Sequence, residues 1–230
     1  MSFQTIINNA TGITINRRKI TGSTVSRSGI LKTAERLPSV YSFTVGMHDG
    51  LQYSTNRDLV EELDILDTTV EEEINIGSTN TGLSYITEYL GNLSPAQIGQ
   101  VTVTSASSNE IVLNTTSVTG TPTGDIFKKG DYIQLDNNYR YPYTVTADVA
   151  YSGTSVTVPI HRGFLAQTGY TVSGKGINVG KDVTWRVKAL NNPLYSIVPH
   201  DLLAFNDNFV FYEIITQEQH VNRNNSSTRR

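Results

Sequence analysis

Apolar residues alternate with hydroxyl residues along most of this chain, and that period of two constrains the fold more than any other feature. Tyr41, Phe43 and Val45 alternate with Ser42 and Thr44, and Val101-Thr102-Val103-Thr104, Ser155-Val156-Thr157-Val158 and Val183-Thr184-Trp185-Arg186-Val187 repeat the pattern. Successive side chains of a strand point to opposite faces, so each run reads as a strand with one buried face. Thr and Val suit a pleated surface because their branched side chains lose little further rotamer freedom there. Phe209-Val210-Phe211-Tyr212 followed by Ile214-Ile215 is apolar throughout and predicts a strand covered on both faces.

One segment changes period. Between Ser54 and Asp67 the apolar residues fall at Leu59, Leu63 and Leu66, with Val60 alongside. These offsets of four and three predict an amphipathic helix of about three turns, over about residues 55–67. Ser54 or Thr55 is the expected N-cap, and Asp58 lies near the positive end of the helix dipole. Leu83-Ser84-Tyr85-Ile86-Thr87-Glu88-Tyr89-Leu90 is rich in β-branched and aromatic residues and is assigned to a strand.

The order of these elements suggests an insertion. Strands and one helix come first, then a polar stretch from Ser105 to Gly124, then a compact glycine-punctuated unit from Ile126 to about Gly180, and strands resume at Asp182. Three short strands are expected in that unit, at 131–135, 143–146 and 155–158. The expectation is a first domain built from 1–95 plus 182–216 and a small β domain, a barrel or sandwich, inserted at 96–181. Inserting a domain into a loop is cheap, since each doubling of loop length adds only ~0.6 kcal/mol. Residues 217–230 are polar and form a C-terminal arm, either frayed or ordered against a neighbouring subunit.

Composition excludes several classes of function. Charged residues are only 17% of the chain and aromatics reach 9%, which is not the composition of a disordered protein. The net charge of −3 argues against a generally basic nucleic-acid coat, though not against a local basic patch. Cysteine is absent, so disulfides, thiolate metal sites and a Cys nucleophile are excluded. No run approaches the ~20 apolar residues of a spanning helix, and the start of the chain lacks the features of a signal peptide. A soluble protein made in the cytosol, with no membrane partner, is the expectation. The Asn-x-Ser/Thr sequons near Asn9, Asn92, Asn114 and Asn225 are incidental in so Asn- and Thr-rich a chain.

No catalytic constellation emerges. His48, His161, His200 and His220 lack the i+3 or i+4 partners that put metal ligands on one helix face. His161-Arg162 either ends a strand at a turn or contacts a phosphate. Gly174-Lys175-Gly176-Ile177-Asn178-Val179-Gly180-Lys181 has neither the glycine spacing nor the hydroxyl residue of a phosphate-binding loop and reads as a turn. The carboxylates Glu61, Glu62, Asp64, Asp67 and Glu71-Glu72-Glu73 lie on or just after one helix and form a solvated face, or an acidic surface along which a polyanion slides. No Gly-x-Ser-x-Gly elbow is present. The expectation is therefore no enzyme, no cofactor and no metal. Tyr139, Tyr141 and Tyr143 share one strand face and are the candidate glycan or partner contact; the alternative places their rings at the core edge.

Gly130-Asp131-Tyr132-Ile133-Gln134, Tyr143-Thr144-Val145-Thr146-Ala147-Asp148-Val149, Ser152-Gly153 and Val156-Thr157-Val158-Pro159-Ile160-His161-Arg162-Gly163 together resemble a module of tailed-phage distal tail and tail-tip proteins. His161 stands where that family often has proline. Arg27-Ser28-Gly29, Tyr41-Ser42-Phe43-Thr44-Val45, Arg57-Asp58-Leu59 and Phe209-Val210-Phe211-Tyr212-Glu213-Ile214 also follow the family's order. The resemblance implies a mainly β fold, a tail-tube-like β-sandwich with one flanking α-helix and the inserted small β-barrel or sandwich domain. It also implies a structural protein of the virion tail, assembled in the host cytoplasm as a ring, usually of six copies. Such a ring sits at the distal end of the tail tube or in the baseplate hub. Its partners would be itself and the adjacent tube and baseplate or tip proteins, with the genome passing through the channel without sequence-specific binding. A carbohydrate-binding receptor module using the region Tyr139–Tyr151 is the alternative.

Overall fold

The computed structural model describes residues 3–47, 50–78, 82–137, 141–165 and 169–215. Among these the chain is mainly β, with sixteen strands and three short α-helices, and every strand pairing is antiparallel. The largest sheet has five strands in the spatial order Ala10–Val25, Leu31–Met47, Phe209–Glu213, Trp185–Ala189, Glu72–Ile74. Alternation decides which face is covered. Tyr41, Phe43, Val45, Trp185, Val187, Phe209 and Phe211 are buried and share one apolar cluster. The helix Phe3–Asn8 adds Phe3, Ile6 and Ile7 to that cluster, and the helix Arg57–Asp64 adds Leu59 and Leu63.

A second cluster of buried residues runs from Leu93 to Val179. It is built from two three-stranded sheets, one of Ser155–Pro159, Glu110–Asn114 and Thr102–Ala106, the other of Ile177–Val179, Tyr132–Leu135 and Pro142–Thr144. The pair Val149–Ala150 and Asp125–Phe127 closes it. Gly130 takes a left-handed φ of 105°, which lets the chain turn tightly before Asp131. The Asp131 carboxylate then accepts N–H bonds from Lys128 at 2.7 Å and from Leu90 at 2.9 Å, tying this turn to the incoming chain.

Several local expectations change. The helix expected over 55–67 forms only at Arg57–Asp64, and its N-cap is Asn56, without a side-chain cap bond. Ser54 and Thr55 are engaged elsewhere: the Ser54 N–H donates to Asp201 at 3.0 Å, and the Thr55 hydroxyl donates to the Gln52 carbonyl at 3.1 Å. Residues 83–90 do not form a strand. Ser84–Thr87 is a single 3-10 turn, because the chain here crosses between the two clusters and has no ladder partner. The strand Phe209–Glu213 is covered on one face only: Phe209, Phe211 and Glu213 point inward, while Tyr212 is exposed. The sheet's far face stays open, so a continuous apolar run here did not mean double burial.

Candidate functional site

The strand Phe209–Glu213 is shorter than its neighbour Leu31–Met47, and the ladder between them ends at the pair Tyr212 and Ser42. Beyond that pair, backbone groups of the longer strand lose a partner, and a buried unpaired group costs about 1–3 kcal/mol. Side chains fill the gap. The Glu213 carboxylate accepts the Tyr41 N–H at 3.0 Å, and the Arg162 guanidinium donates to the Ser39 carbonyl at 2.9 Å. Together they supply the acceptor and donor that a third strand would have supplied.

Arg162 and Glu213 also bond each other. Two parallel contacts of 2.6 and 2.5 Å join guanidinium and carboxylate, and Arg162 donates again to the Pro142 carbonyl at 3.0 Å. Both side chains are buried. The guanidinium carbon lies 5.5 Å from the Tyr41 ring centre and 5.4 Å from that of Tyr143. Burial alone disfavours the Arg162 cation, but the adjacent Glu213 carboxylate more than offsets it and holds the guanidinium charged. Arg162 comes from the segment between the two clusters' boundaries at Leu93 and Val183, whereas Ser39 and Glu213 belong to the five-stranded sheet. The pair therefore stitches the two β units together at the point where the sheet narrows to two strands.

Next to it, His161 and Thr144 bond twice. The His161 N–H donates to the Thr144 carbonyl at 3.1 Å, and His161 Nδ1 accepts the Thr144 N–H at 2.9 Å. The Thr144 hydroxyl lies 2.6 Å from the Tyr41 hydroxyl across the seam. An Nδ1 that accepts places the ring proton on Nε2, so the imidazole is neutral. Desolvation, with the charges of Arg162 and Arg17 behind it, pushes the His161 pKa from 6.5 down to about 2. The unfolded chain therefore takes up a proton below about pH 6.5 that the folded chain refuses, and stability falls as the pH drops. From about pH 7.5 to about pH 5 the loss from this residue is expected to be ~2 kcal/mol. His161→Gln, whose side-chain oxygen can still accept from Thr144, should show a correspondingly shallower acid slope in urea titrations. Equal slopes would exclude this origin.

A second bridge repeats the logic. The Gln134 side-chain amide donates to the Thr184 carbonyl at 2.7 Å, and its oxygen accepts the Thr184 N–H at 3.2 Å, as a strand backbone would. Above the seam lies an open groove of about 290 Å³, lined by Ile15, Arg17, Tyr41, Gly130, Tyr132 and Thr144.

The candidate tyrosines lie elsewhere than at a surface. Tyr141 and Tyr143 are both buried in the second cluster, so neither ring offers a face on which a sugar could stack. The Tyr143 hydroxyl is spent on Leu165, donating to its carbonyl at 3.1 Å and accepting its N–H at 2.8 Å. Tyr139 lies outside the described residues, as do His48, His220 and the arm 217–230. His200 sits in a tight turn with φ 70° beside Asp201, which holds Ser54. The carboxylates do not converge: Asp64 accepts from the Tyr195 hydroxyl at 3.0 Å, Glu71 pairs with Arg186 and Lys188, and Asp67 caps Thr69 at 2.8 Å. No group of three or more His, Asp or Glu side chains among the described residues is placed to hold a metal ion. No helix among them is long and apolar enough to cross a membrane.

Glu213 is the residue that the sequence reading overlooked. It stands in register with Phe209 and Phe211, on the inward face of an alternating strand, and a carboxylate at such a position requires a buried partner. In the sequence Arg162 reads as a strand-end cation or a phosphate contact, and the structure spends it on Glu213 and the Ser39 and Pro142 carbonyls. What these groups do is positional, because the buried pair presents no open face to a substrate. No protein-family model matches this chain, and no curated protein is significantly similar to it.

Proposed function

We propose that this chain is a structural subunit of a tailed-phage virion, a tail-tube-like β-sandwich with an inserted β domain. In this reading it forms a ring, of six copies, at the distal end of the tail tube or in the baseplate hub, joins tube to tip, and catalyses nothing. One observation carries the reading. Among the described residues, from Tyr41 back to Leu31 the second strand of the large sheet has only the strand Ala10–Val25 beside it, so a two-stranded ribbon leaves the body of the protein. At about 3.4 Å per residue, its seven paired positions beyond Arg17, from Arg18 to Val25, extend roughly 25 Å. An isolated two-stranded ribbon is marginal in water, and its unpaired edges are templates for other strands. A root fastened by a buried ion pair fits a ribbon that must hold its direction, as a subunit-to-subunit contact requires. The resemblance of the Gly130–Gln134 and Val156–Gly163 motifs to distal tail proteins supplies the context.

Among the described residues nothing favours the carbohydrate-binding alternative, since Tyr141 and Tyr143 are buried and Tyr151 packs partly against the same cluster. Assembly stabilises the folded state by mass action, so the melting temperature should rise with protein concentration. A melting temperature independent of concentration, for a species shown to be monomeric by sedimentation, would contradict the reading.

A further inference from the structure

The ribbon differs from the rest of the molecule in charge. Residues 17–36 carry six cations, Arg17, Arg18, Lys19, Arg27, Lys32 and Arg36, against the single carboxylate Glu35, in a chain whose net charge is −3. Its tip is also apolar: Val25 is 64% exposed, Ile30 59% and Leu31 62%. The tip is ordered rather than loose. The Ser26 N–H donates to the Ile30 carbonyl at 2.9 Å, the Gly29 N–H to the Ser26 carbonyl at 2.9 Å, and the Ile30 N–H to the Ser26 hydroxyl at 3.1 Å. Gly29 takes the left-handed φ of 77° that closes this turn. The result is a preorganised knob that presents Arg27 among three aliphatic side chains.

The same chain carries the complement. Residues 58–73 contain eight carboxylates and neither Lys nor Arg. On the helix Arg57–Asp64, Asp58 and Glu61 are exposed on the outer side, and Ile65, one turn on and 70% exposed, continues that stripe. Val70 is 44% exposed just beyond it. This acidic segment runs into the strand Glu72–Ile74, which is the opposite edge of the five-stranded sheet from Ala10–Val25. The basic ribbon thus includes one edge strand of the sheet, and the acidic segment leads into the other.

We infer that the ribbon tip of one copy docks on the outer face of the helix Arg57–Asp64 of the next, with Arg27 against Asp58 and Glu61 and the tip aliphatics against Ile65 and Val70. The occupant is a second copy of this chain. Two different complementary surfaces at opposite edges make a head-to-tail contact, which closes into a ring when the rotation between copies allows it. The inference rests on the proposed ring assembly and specifies its contact.

A charge swap tests it. Self-association of the full chain is measured by sedimentation velocity over a concentration series at low and high ionic strength. Arg27→Glu and Asp58→Arg/Glu61→Arg each place like charges in contact and are expected to weaken association about tenfold. Arg27 and Leu31 are exposed at the tip, so circular dichroism and melting of the dilute monomer should be unchanged in Arg27→Glu and in Leu31→Asp, the latter an independent test of the apolar half; Asp58→Arg/Glu61→Arg puts cations at the start of a helix and should lower the melting temperature of the dilute monomer slightly, a shift read separately from association. The combined variant Arg27→Glu/Asp58→Arg/Glu61→Arg should regain association to within about threefold of the parent, since attraction is restored with reversed sign. Rings that form equally well in all variants would overturn the docking and leave ring assembly standing. A parent chain that never associates would overturn both. Retention of the monomer on double-stranded DNA, lost with Arg27→Glu while association is unchanged, would assign the ribbon to a polyanion instead.

Discussion

Glu213→Ala is expected to cost about 3–5 kcal/mol of folding free energy, because it leaves the Arg162 guanidinium buried without its counter-charge. The same substitution removes the acceptor for the Tyr41 N–H. Arg162→Ala should cost a similar amount, since it strands the Glu213 carboxylate and opens the Ser39 and Pro142 carbonyls. The double replacement Arg162→Met/Glu213→Leu is more informative. Exchanging a buried ion pair for apolar groups of similar volume is often neutral or stabilising, because two desolvated charges disappear together. Here the Tyr41 N–H and the Ser39 and Pro142 carbonyls still lose their partners, so the double variant should recover only part of the loss and remain at least about 1–3 kcal/mol below the parent. Urea unfolding of the four proteins compares these costs. Full recovery would mean that the pair does not substitute for a missing strand, and a single-variant cost below ~1 kcal/mol would mean that it is not buried in solution.

Gly180→Ala is expected to cost about 2–5 kcal/mol for an unrelated reason. Gly180 has a φ of 60°, and a Cβ built there would lie 2.7 Å from the Tyr89 Cβ, 2.9 Å from the Tyr89 nitrogen and 3.1 Å from the Thr87 carbonyl oxygen. The left-handed backbone costs an alanine about 1–2 kcal/mol, and overpacking against another backbone adds about 1–3. The site is where the outgoing chain crosses the incoming one between the two clusters, Val179 being the last residue of one and Val183 the first of the next stretch of the other. Relief would require the crossing segments to part. Thermal unfolding reads this directly. Gly174→Ala is the control, with a φ of 79° but no atom within 4 Å of the added carbon, so it should pay for the backbone alone.

Alternation made much of the sheet structure legible. The runs at Tyr41–Val45, Ser155–Val158 and Val183–Val187 lie in strands or run into one, with the apolar residues inward, because side-chain period and backbone period coincide there. Local signals failed where tertiary partners competed for the same groups. Ser54 and Thr55 have the chemistry of N-caps, yet Asp201 and Gln52 claim them and the helix begins after Asn56. Residues 83–90 have strand propensity but no neighbour with which to form a ladder. The seam was the hardest to read, because its two charges are separated by 51 positions and neither has a local partner that points to the other. Only the inward register of Glu213 with Phe209 and Phe211 betrays it. Tyr141 and Tyr143 were ambiguous for the opposite reason: an amphipathic ring looks the same in sequence whether it faces a core or a ligand, and both are buried in the second cluster, Tyr143 against Arg162 and Leu165.

Negative-stain electron microscopy of the purified chain, with two-dimensional class averages taken across a concentration series, tests the proposed assembly most directly. Closed rings of uniform size with an open centre, sixfold in symmetry and increasing with concentration, are expected. Single particles of one copy at every concentration, with the ribbon free, would contradict it.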